Sequence, residues 1–279
     1  MADIINNDLD YFESIKIADG IYWVGFNDDK AGLHCNPYII VEDEEVVLID
    51  GGSREDFSTV MLKILRLGIN PKNITTLIYH HTDPDLCGSL PHLEGIIDNP
   101  ELKIISHKEN NVFINYYSTK TPKLCIEDLG YSYTLKSGRR LEFYQTPYVH
   151  EAGSFITYDC KTKTLFSSDI FGSYDISWSL YCSIPQECKD CETQKTCSIS
   201  KRDCKLHGIL DFHRRKMNSA ASLRYALEQI ERIDPVLVAP QHGSLIDSKE
   251  DLNYLINLLK KEEHIGFDYY LLERGLSHR

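Results

Sequence analysis

A chain of 279 residues with 42% apolar residues can bury a substantial core, which excludes a disordered polypeptide. Its 30 basic and 42 acidic residues leave a net charge of −12, which excludes a general binder of nucleic acid or of an anionic membrane surface, since both need a basic face. No apolar run reaches the length of a membrane span, and Met1 to Asp8 has neither the basic start nor the apolar stretch of a secretory leader. The expected compartment is therefore the cytoplasm, where nine cysteines are thiols or metal ligands rather than disulfides.

The first hundred residues read as α/β packing. Ile21 to Val24, Tyr38 to Val41 and Val46 to Ile49 are short strands, the last two joined by the acidic turn Glu42-Asp43-Glu44-Glu45. The third runs into Asp50-Gly51-Gly52, where glycine permits a tight turn and a close approach. Phe57, Val60, Met61 and Ile64 mark one face of a helix. The β-branched run Ile74 to Tyr79 is a buried strand. Beyond it, Leu102 to Ser106 reads as a strand, Glu109 to Tyr117 as a helix, and Glu142 to Thr146 as an alternating strand. Ser154 to Tyr158 and Thr164 to Ser167 pair around a turn at Asp159-Cys160-Lys161. Leu223, Ala226, Leu227 and Ile230 form a helix face ahead of the strand Val236 to Ala239, and a C-terminal helix covers about 248–262. With no internal repeat and no Gly/Ser linker, a single domain over residues 1–279 is expected.

The chain is organised around Tyr79-His80-His81-Thr82-Asp83-Pro84-Asp85-Leu86-Cys87-Gly88. His81, Asp83 and Asp85 occupy alternate positions at a strand end, and alternate side chains of an extended segment point the same way. Grouped ionisable side chains are costly unless a charge satisfies them, and a metal does so. Three further strand ends carry candidate ligands: His150, Asp169 and His242.

The order of these motifs resembles the metallo-β-lactamase superfamily and, within it, the flavodiiron proteins. Their His-x-Glu-x-Asp-His and Ser-Gly-Ser-Leu-Pro run corresponds to His81 through Pro91, and their His-x-x-Gly-Asn-Phe loop to His150 through Phe155. Their Phe-Ser-x-Asp-x-Phe-Gly run corresponds to Phe166 through Gly172, and their Ala-Pro-x-His-Gly to Ala239 through Gly243. The resemblance covers roughly residues 15 to 250. It implies an αββα sandwich of two mixed β-sheets flanked by helices, with a diiron site at one edge. One iron would take His81, Asp83 and His150, the other Asp85 and His242, with Asp169 bridging. Three histidines and three carboxylates suit non-haem iron better than the nitrogen- and sulfur-rich tetrahedral sites zinc prefers.

The sequence departs from that family in three respects. Leu86 replaces the last histidine of the first motif and cannot ligate, so an open position is expected at the second iron. Asp83 is one methylene shorter than the family's glutamate. No flavodoxin domain and no FMN site are expected in this chain. A chain so built resembles the flavin-less oxygen-binding diiron proteins, which implies a protein that holds O2 as a sensor with a signalling partner. The alternative is an O2 or NO reductase served by a separate electron donor; a second alternative is a zinc-dependent hydrolase. The resemblance also implies a head-to-tail homodimer, although the flavin it would position is missing here.

A second metal site is suggested by Cys182, Cys188, Cys191, Cys197 and Cys204, spaced C-x5-C-x2-C-x5-C-x6-C in an insert at about 182–204. Zinc and a [4Fe–4S] cluster fit this spacing equally; free thiols are the simpler alternative. Around the main site, His34 and Tyr174 are candidate polar neighbours of a bound gas. Asp50 is a candidate to orient a ligand histidine, since ligating imidazoles donate their other N–H to a carboxylate or carbonyl. Cys35, Cys125 and Cys160 read as isolated thiols.

Overall fold

Two sheets carry the structure, a computed structural model described for residues 9–26, 33–118, 120–174, 178–189 and 204–276. The first has β1 (Ile15–Ala18), β2 (Ile21–Trp23), β3 (Tyr38–Glu42), β4 (Glu45–Ile49), β5 (Ile74–Ile78), β6 (Lys103–Ser106) and β7 (Lys123–Cys125) in sequential order. Pairing is antiparallel from β1 to β4 and parallel from β4 to β7. The second has β8 (Ser132–Thr134), β9 (Arg140–Gln145), β10 (Phe155–Asp159), β11 (Thr164–Phe166) and β12 (Leu237–Ala239), with β12 parallel to β11 and the other pairs antiparallel.

Burial explains the layering. Every residue of β4 and of β5 is buried, as expected of strands covered on both faces. Between the sheets, Tyr38, Ile40, Val47, Ile49 and Ile78 meet Leu141, Phe143, Phe155 and Phe166. On the outer side of the first sheet, Ile39, Leu48 and Leu77 join Val60, Met61 and Ile64 of the helix Phe57–Arg66 and Leu90, Leu93 and Ile97 of the helix Leu90–Ile97. On the outer side of the second, Ile156, Leu165 and Val238 join the helices Lys205–Lys216, Ala220–Ile233 and Lys249–Lys260. The order helix, sheet, sheet, helix is the expected αββα sandwich.

The central strands and three of the amphipathic helices fall within a few residues of their expected places. Two helices without a sequence signal, Leu90–Ile97 and Lys205–Lys216, pack in the outer cores, and the other such elements are peripheral. β7 and β8 are three residues each and only partly buried, so neither shows an apolar run. The helix Phe267–Glu273 buries no residue. In the cysteine-rich insert, Cys182 lies buried in the outer core of the second sheet, and Cys188 and Cys204 pack against that cluster; Cys191 and Cys197 fall outside the described residues.

A candidate metal centre at the sheet edge

β5 ends in a buried segment that is heavily hydrogen-bonded. Ser106 Oγ donates to the Tyr79 carbonyl at 2.6 Å, and Asn110 Nδ2 donates to the carbonyls of His80 (3.1 Å) and Gly153 (2.9 Å). The second contact requires glycine, because a Cβ at Gly153 would lie 2.1 Å from Asn110 Oδ1. The loops bearing His81 and His150 are thus tied through one asparagine. A second tie runs from Thr82, whose backbone N–H (3.0 Å) and hydroxyl (2.8 Å) donate to Glu151.

The two aspartates of the first motif do not converge as alternate residues of an extended segment would. Pro84 opens a helical turn, Pro84–Cys87, with Asp83 in extended conformation at its N-cap and Asp85 in its first turn. Proline at the first helical position favours this. The two carboxylates consequently face different histidines. Asp83 Oδ2 lies 3.4 Å from His150 Nε2 and 4.0 Å from His81 Nε2. Asp85 Oδ2 lies 3.2 Å from His242 Nε2.

Asp169 lies between the two groups. It follows β11, is 2% exposed, and divides its oxygens. Oδ2 is 3.1 Å from His150 Nε2, whereas Oδ1 is 3.7 Å from both His81 Nε2 and His242 Nε2. Two of the three remaining ring nitrogens are held by the protein: Ser168 Oγ lies 3.1 Å from His81 Nδ1, and His242 Nδ1 donates to the His34 carbonyl at 2.9 Å.

The electrostatics follow from this packing. Burial disfavours charge on His150, but facing Asp169 and Asp83 outweighs it and pushes the imidazole up to about 10. Burial likewise opposes charge on His242, yet Asp169 and Asp85 raise it well above the usual range. Burial raises the Asp169 carboxyl, and the surrounding histidines more than reverse that, holding it far below the ordinary carboxylate range. Among the described residues, His81 Nε2, His150 Nε2 and Asp169 Oδ1 are buried without a hydrogen-bond partner. Orphaned donor atoms aimed at one another, in a set of imidazoles and carboxylates, fit a pair of metal ions.

Several expectations change. Asp50 does not orient a ligand histidine. It accepts from the His80 backbone N–H at 3.0 Å and meets His80 Nδ1 at 2.5 Å, while His80 Nε2 meets Thr157 Oγ1 at 2.8 Å. The pair is a strut behind His81. The His34 ring stacks on Trp178 at 4.8 Å between centroids, and it is the His34 backbone that reaches the site. Tyr174 packs on Phe212, and Phe212 packs on His242, so the tyrosine ring stands one layer away. Leu86 is fully buried in the outer core of the first sheet. Cys35 is not isolated: with Asp85 and His242 it offers one ligand atom each, all within 4.8 Å of one another.

His213, in the helix Lys205–Lys216, carries no sequence signal. It is fully buried, its Nδ1 donates to the Ile209 carbonyl at 2.7 Å, and its Nε2 accepts from the Phe171 N–H at 3.0 Å, which fixes the loop after Asp169. Burial lowers it to about 4. A histidine held neutral in the fold but titrating near its ordinary value when unfolded stabilises at neutral pH, and that stability drains away as pH falls from about 6.5 to about 4. The expected loss is roughly 3 kcal/mol. Urea denaturation of metal-free protein across this range measures it, and His213→Gln, which does not titrate, should flatten the slope by about one proton.

With this geometry in place, similarity to known proteins can be read. The model of the ODP family beta lactamases matches residues 33–243. The chain belongs to the ODP family. The chemotaxis sensor ODP of T. denticola in its apo state superposes with a TM-score of 0.70 at 26% identity, over 91% of this chain and 99% of that one. The chemotaxis sensor ODP captured as a peroxy diiron species gives a TM-score of 0.72 at 25% identity, over 91% and 94%. Diflavin flavoprotein A 1 of Synechocystis sp. is 31% identical over 152 residues, 54% of this chain and 25% of that protein. The anaerobic nitric oxide reductase flavorubredoxin of Enterobacter sp. is 29% identical over 181 residues, 58% of this chain and 35% of that protein. This ODP-family chain therefore spans only a quarter to about a third of those two curated relatives. No helix among the described residues is long and apolar enough to cross a membrane.

Proposed function

We propose that this protein is a non-haem diiron protein that binds dioxygen at His81, Asp83, His150, Asp169, Asp85 and His242 and reports it as a sensor. The observation that carries the reading is the Asp169 carboxylate, whose Oδ1 lies 3.7 Å from a histidine of each His/Asp group, His81 and His242, while its Oδ2 faces His150 at 3.1 Å. In this reading His81, Asp83 and His150 hold one iron, Asp85 and His242 the other, and Asp169 is shared. Iron held by these residues would supply electrons to a diatomic ligand. The protein supplies charge balance through three carboxylates, ring orientation through Ser168 and the His34 carbonyl, and a largely buried setting. The similarity to the chemotaxis sensor ODP over most of both chains favours sensing over turnover. Its signalling partner would be another protein.

The reductase reading rests on the flavorubredoxin relative and would draw its electrons from a separate donor. One experiment separates the readings. Protein purified without oxygen should contain about two irons and little zinc, and air should give a lasting charge-transfer band without continued O2 uptake. Sustained O2 or NO consumption with a supplied donor would make it a reductase, and two zinc ions with no colour would make it a hydrolase. The cysteine-rich insert remains a candidate for zinc or a [4Fe–4S] cluster. Metal analysis after a Cys188→Ser substitution tests it.

A further inference from the structure

The second metal position has too few ligands in the motifs alone. Asp85, His242 and the shared Asp169 are its only matched donors, and Leu86, where a histidine would complete the set, is apolar and buried. The structure brings a fourth donor from elsewhere in the chain. One ligand atom each from Cys35, Asp85 and His242 lies within 4.8 Å of the others. Cys35 Sγ is 3.7 Å from Asp85 Oδ2, the oxygen that faces His242 Nε2 at 3.2 Å. Its 3.9 Å contact with His242 is to Nδ1, the nitrogen that donates to the His34 carbonyl. The neighbouring Asp169 Oδ1, 3.7 Å from His242 Nε2, is buried with no hydrogen-bond partner among the described residues.

Both neighbours of Cys35 are bolted to the His242 loop. His34 accepts from His242 Nδ1 through its carbonyl. The Asn36 backbone N–H donates to the Gln241 carbonyl at 2.8 Å, and its side-chain amide donates to the carbonyls of Pro240 (3.1 Å) and Gly243 (2.8 Å). Trp23 Nε1 closes the clamp on Asn36 Oδ1 at 2.9 Å. On the other side, a Cβ at Gly25 would lie 2.7 Å from the Cys35 carbonyl oxygen, so glycine there allows the two backbones to approach. A side chain held between two anchored residues keeps its sulfur beside Asp85 and within the Cys35/Asp85/His242 group. A first-row metal sits about 2.3 Å from sulfur and about 2.0–2.2 Å from nitrogen or oxygen, so donors gathered this closely are close to sharing one ion.

We infer that Cys35 is a thiolate ligand of the second metal, taking the place of the histidine that Leu86 replaces. This rests on the reading of the site as a two-metal centre. Binding breaks the S–H bond, forms a metal–sulfur bond and releases one proton to solvent; no electron is transferred. The sulfur is a softer, more electron-donating ligand than imidazole, so the second position would differ in electronic character from the first.

Cobalt(II) added without oxygen to the full chain and to Cys35→Ser tests the assignment. The wild-type minus variant difference spectrum should show a near-ultraviolet thiolate-to-cobalt charge-transfer band. The cysteine-rich insert contributes equally to both proteins and cancels. The variant should keep one cobalt with unchanged affinity and bind the other at least about tenfold more weakly. A flat difference spectrum with two cobalt ions bound equally well to both overturns the ligand assignment and leaves the two-metal reading standing. No cobalt bound by either protein overturns both. Should far-ultraviolet circular dichroism show Cys35→Ser to be unfolded, alkylation of wild type decides: cobalt is expected to protect Cys35 from iodoacetamide, and unchanged labelling sinks the proposal.

Discussion

Asp169→Asn is expected to cost the protein both metals. The change keeps the size of the side chain and removes, among the described residues, the one carboxylate that faces all three histidines. Removing one partner of a buried charged set costs about 3–5 kcal/mol, which is roughly a hundredfold or more in metal affinity. The neighbouring carboxylates should fail selectively. Asp83 reaches His81 and His150, and Asp85 reaches His242. Asp83→Asn should therefore weaken one metal and Asp85→Asn the other, each leaving about one ion per chain. Equilibrium dialysis against iron(II), with iron counted per chain, distinguishes these patterns. Two irons held at unchanged affinity by Asp169→Asn would mean that the carboxylate is not shared and that the two groups do not form one centre.

The six candidate ligands are legible in the sequence through the joint order of their motifs, which matches a known family. Locally, His81 follows a β-branched run and Asp169 and His242 leave short strands, but His150 stands in a loop five residues past its strand. The layering was legible likewise, because β4 and β5 read as continuous apolar runs and the helices that cover them as periodic ones. What could not be read was pairing across the chain. Nothing near Cys35 in sequence marks it, since its position is set by bonds from Asn36 and His34 to residues 204 to 208 positions away. Asp50 looked like an orienting carboxylate because it ends a strand beside the site, and it does orient a histidine. The register of β4 against β5 delivers it to His80 rather than to a ligand. The alternation of His81, Asp83 and Asp85 was a true pattern given the wrong geometry, because Pro84 starts a helical turn where an extended segment was expected.

Arg139→Ala is expected to destabilise the fold by about 3–5 kcal/mol while leaving the metal centre of the folded molecule alone. The guanidinium is fully buried and forks onto Asp159, Nε to Oδ1 at 2.8 Å and Nη2 to Oδ2 at 2.9 Å, with Asp159 itself buried. Its Nη1 donates to Glu42 at 2.8 Å and Nη2 also reaches the Asp19 carbonyl at 3.1 Å. Arg139 precedes β9 and Asp159 ends β10, both in the second sheet, whereas Glu42 ends β3 in the first. One side chain thus joins the two sheets at the ends of β3 and β10 remote from Cys35, His150 and Gly153. Truncation strands a carboxylate in the interior, and that orphaned charge, more than the lost bond, accounts for the expected loss. Burial alone would raise the Asp159 carboxyl, but Arg139 and Thr162 hold it below the ordinary range. Its stabilisation is therefore present above the unfolded carboxylate value, near pH 4, and is lost as pH falls through the lower folded one; in Arg139→Ala this acid-side loss should shrink. The melting temperature should drop by roughly 10 °C with and without metal, because a ligand stabilises through its affinity for the folded state and that affinity is unchanged. A metal-dependent drop, or an altered iron affinity at low temperature, would show that the far clamp and the metal edge are coupled through the sheets after all. Asp159→Leu combined with Arg139→Met should recover much of the loss, since a buried ion pair exchanged for apolar side chains of similar volume is often neutral.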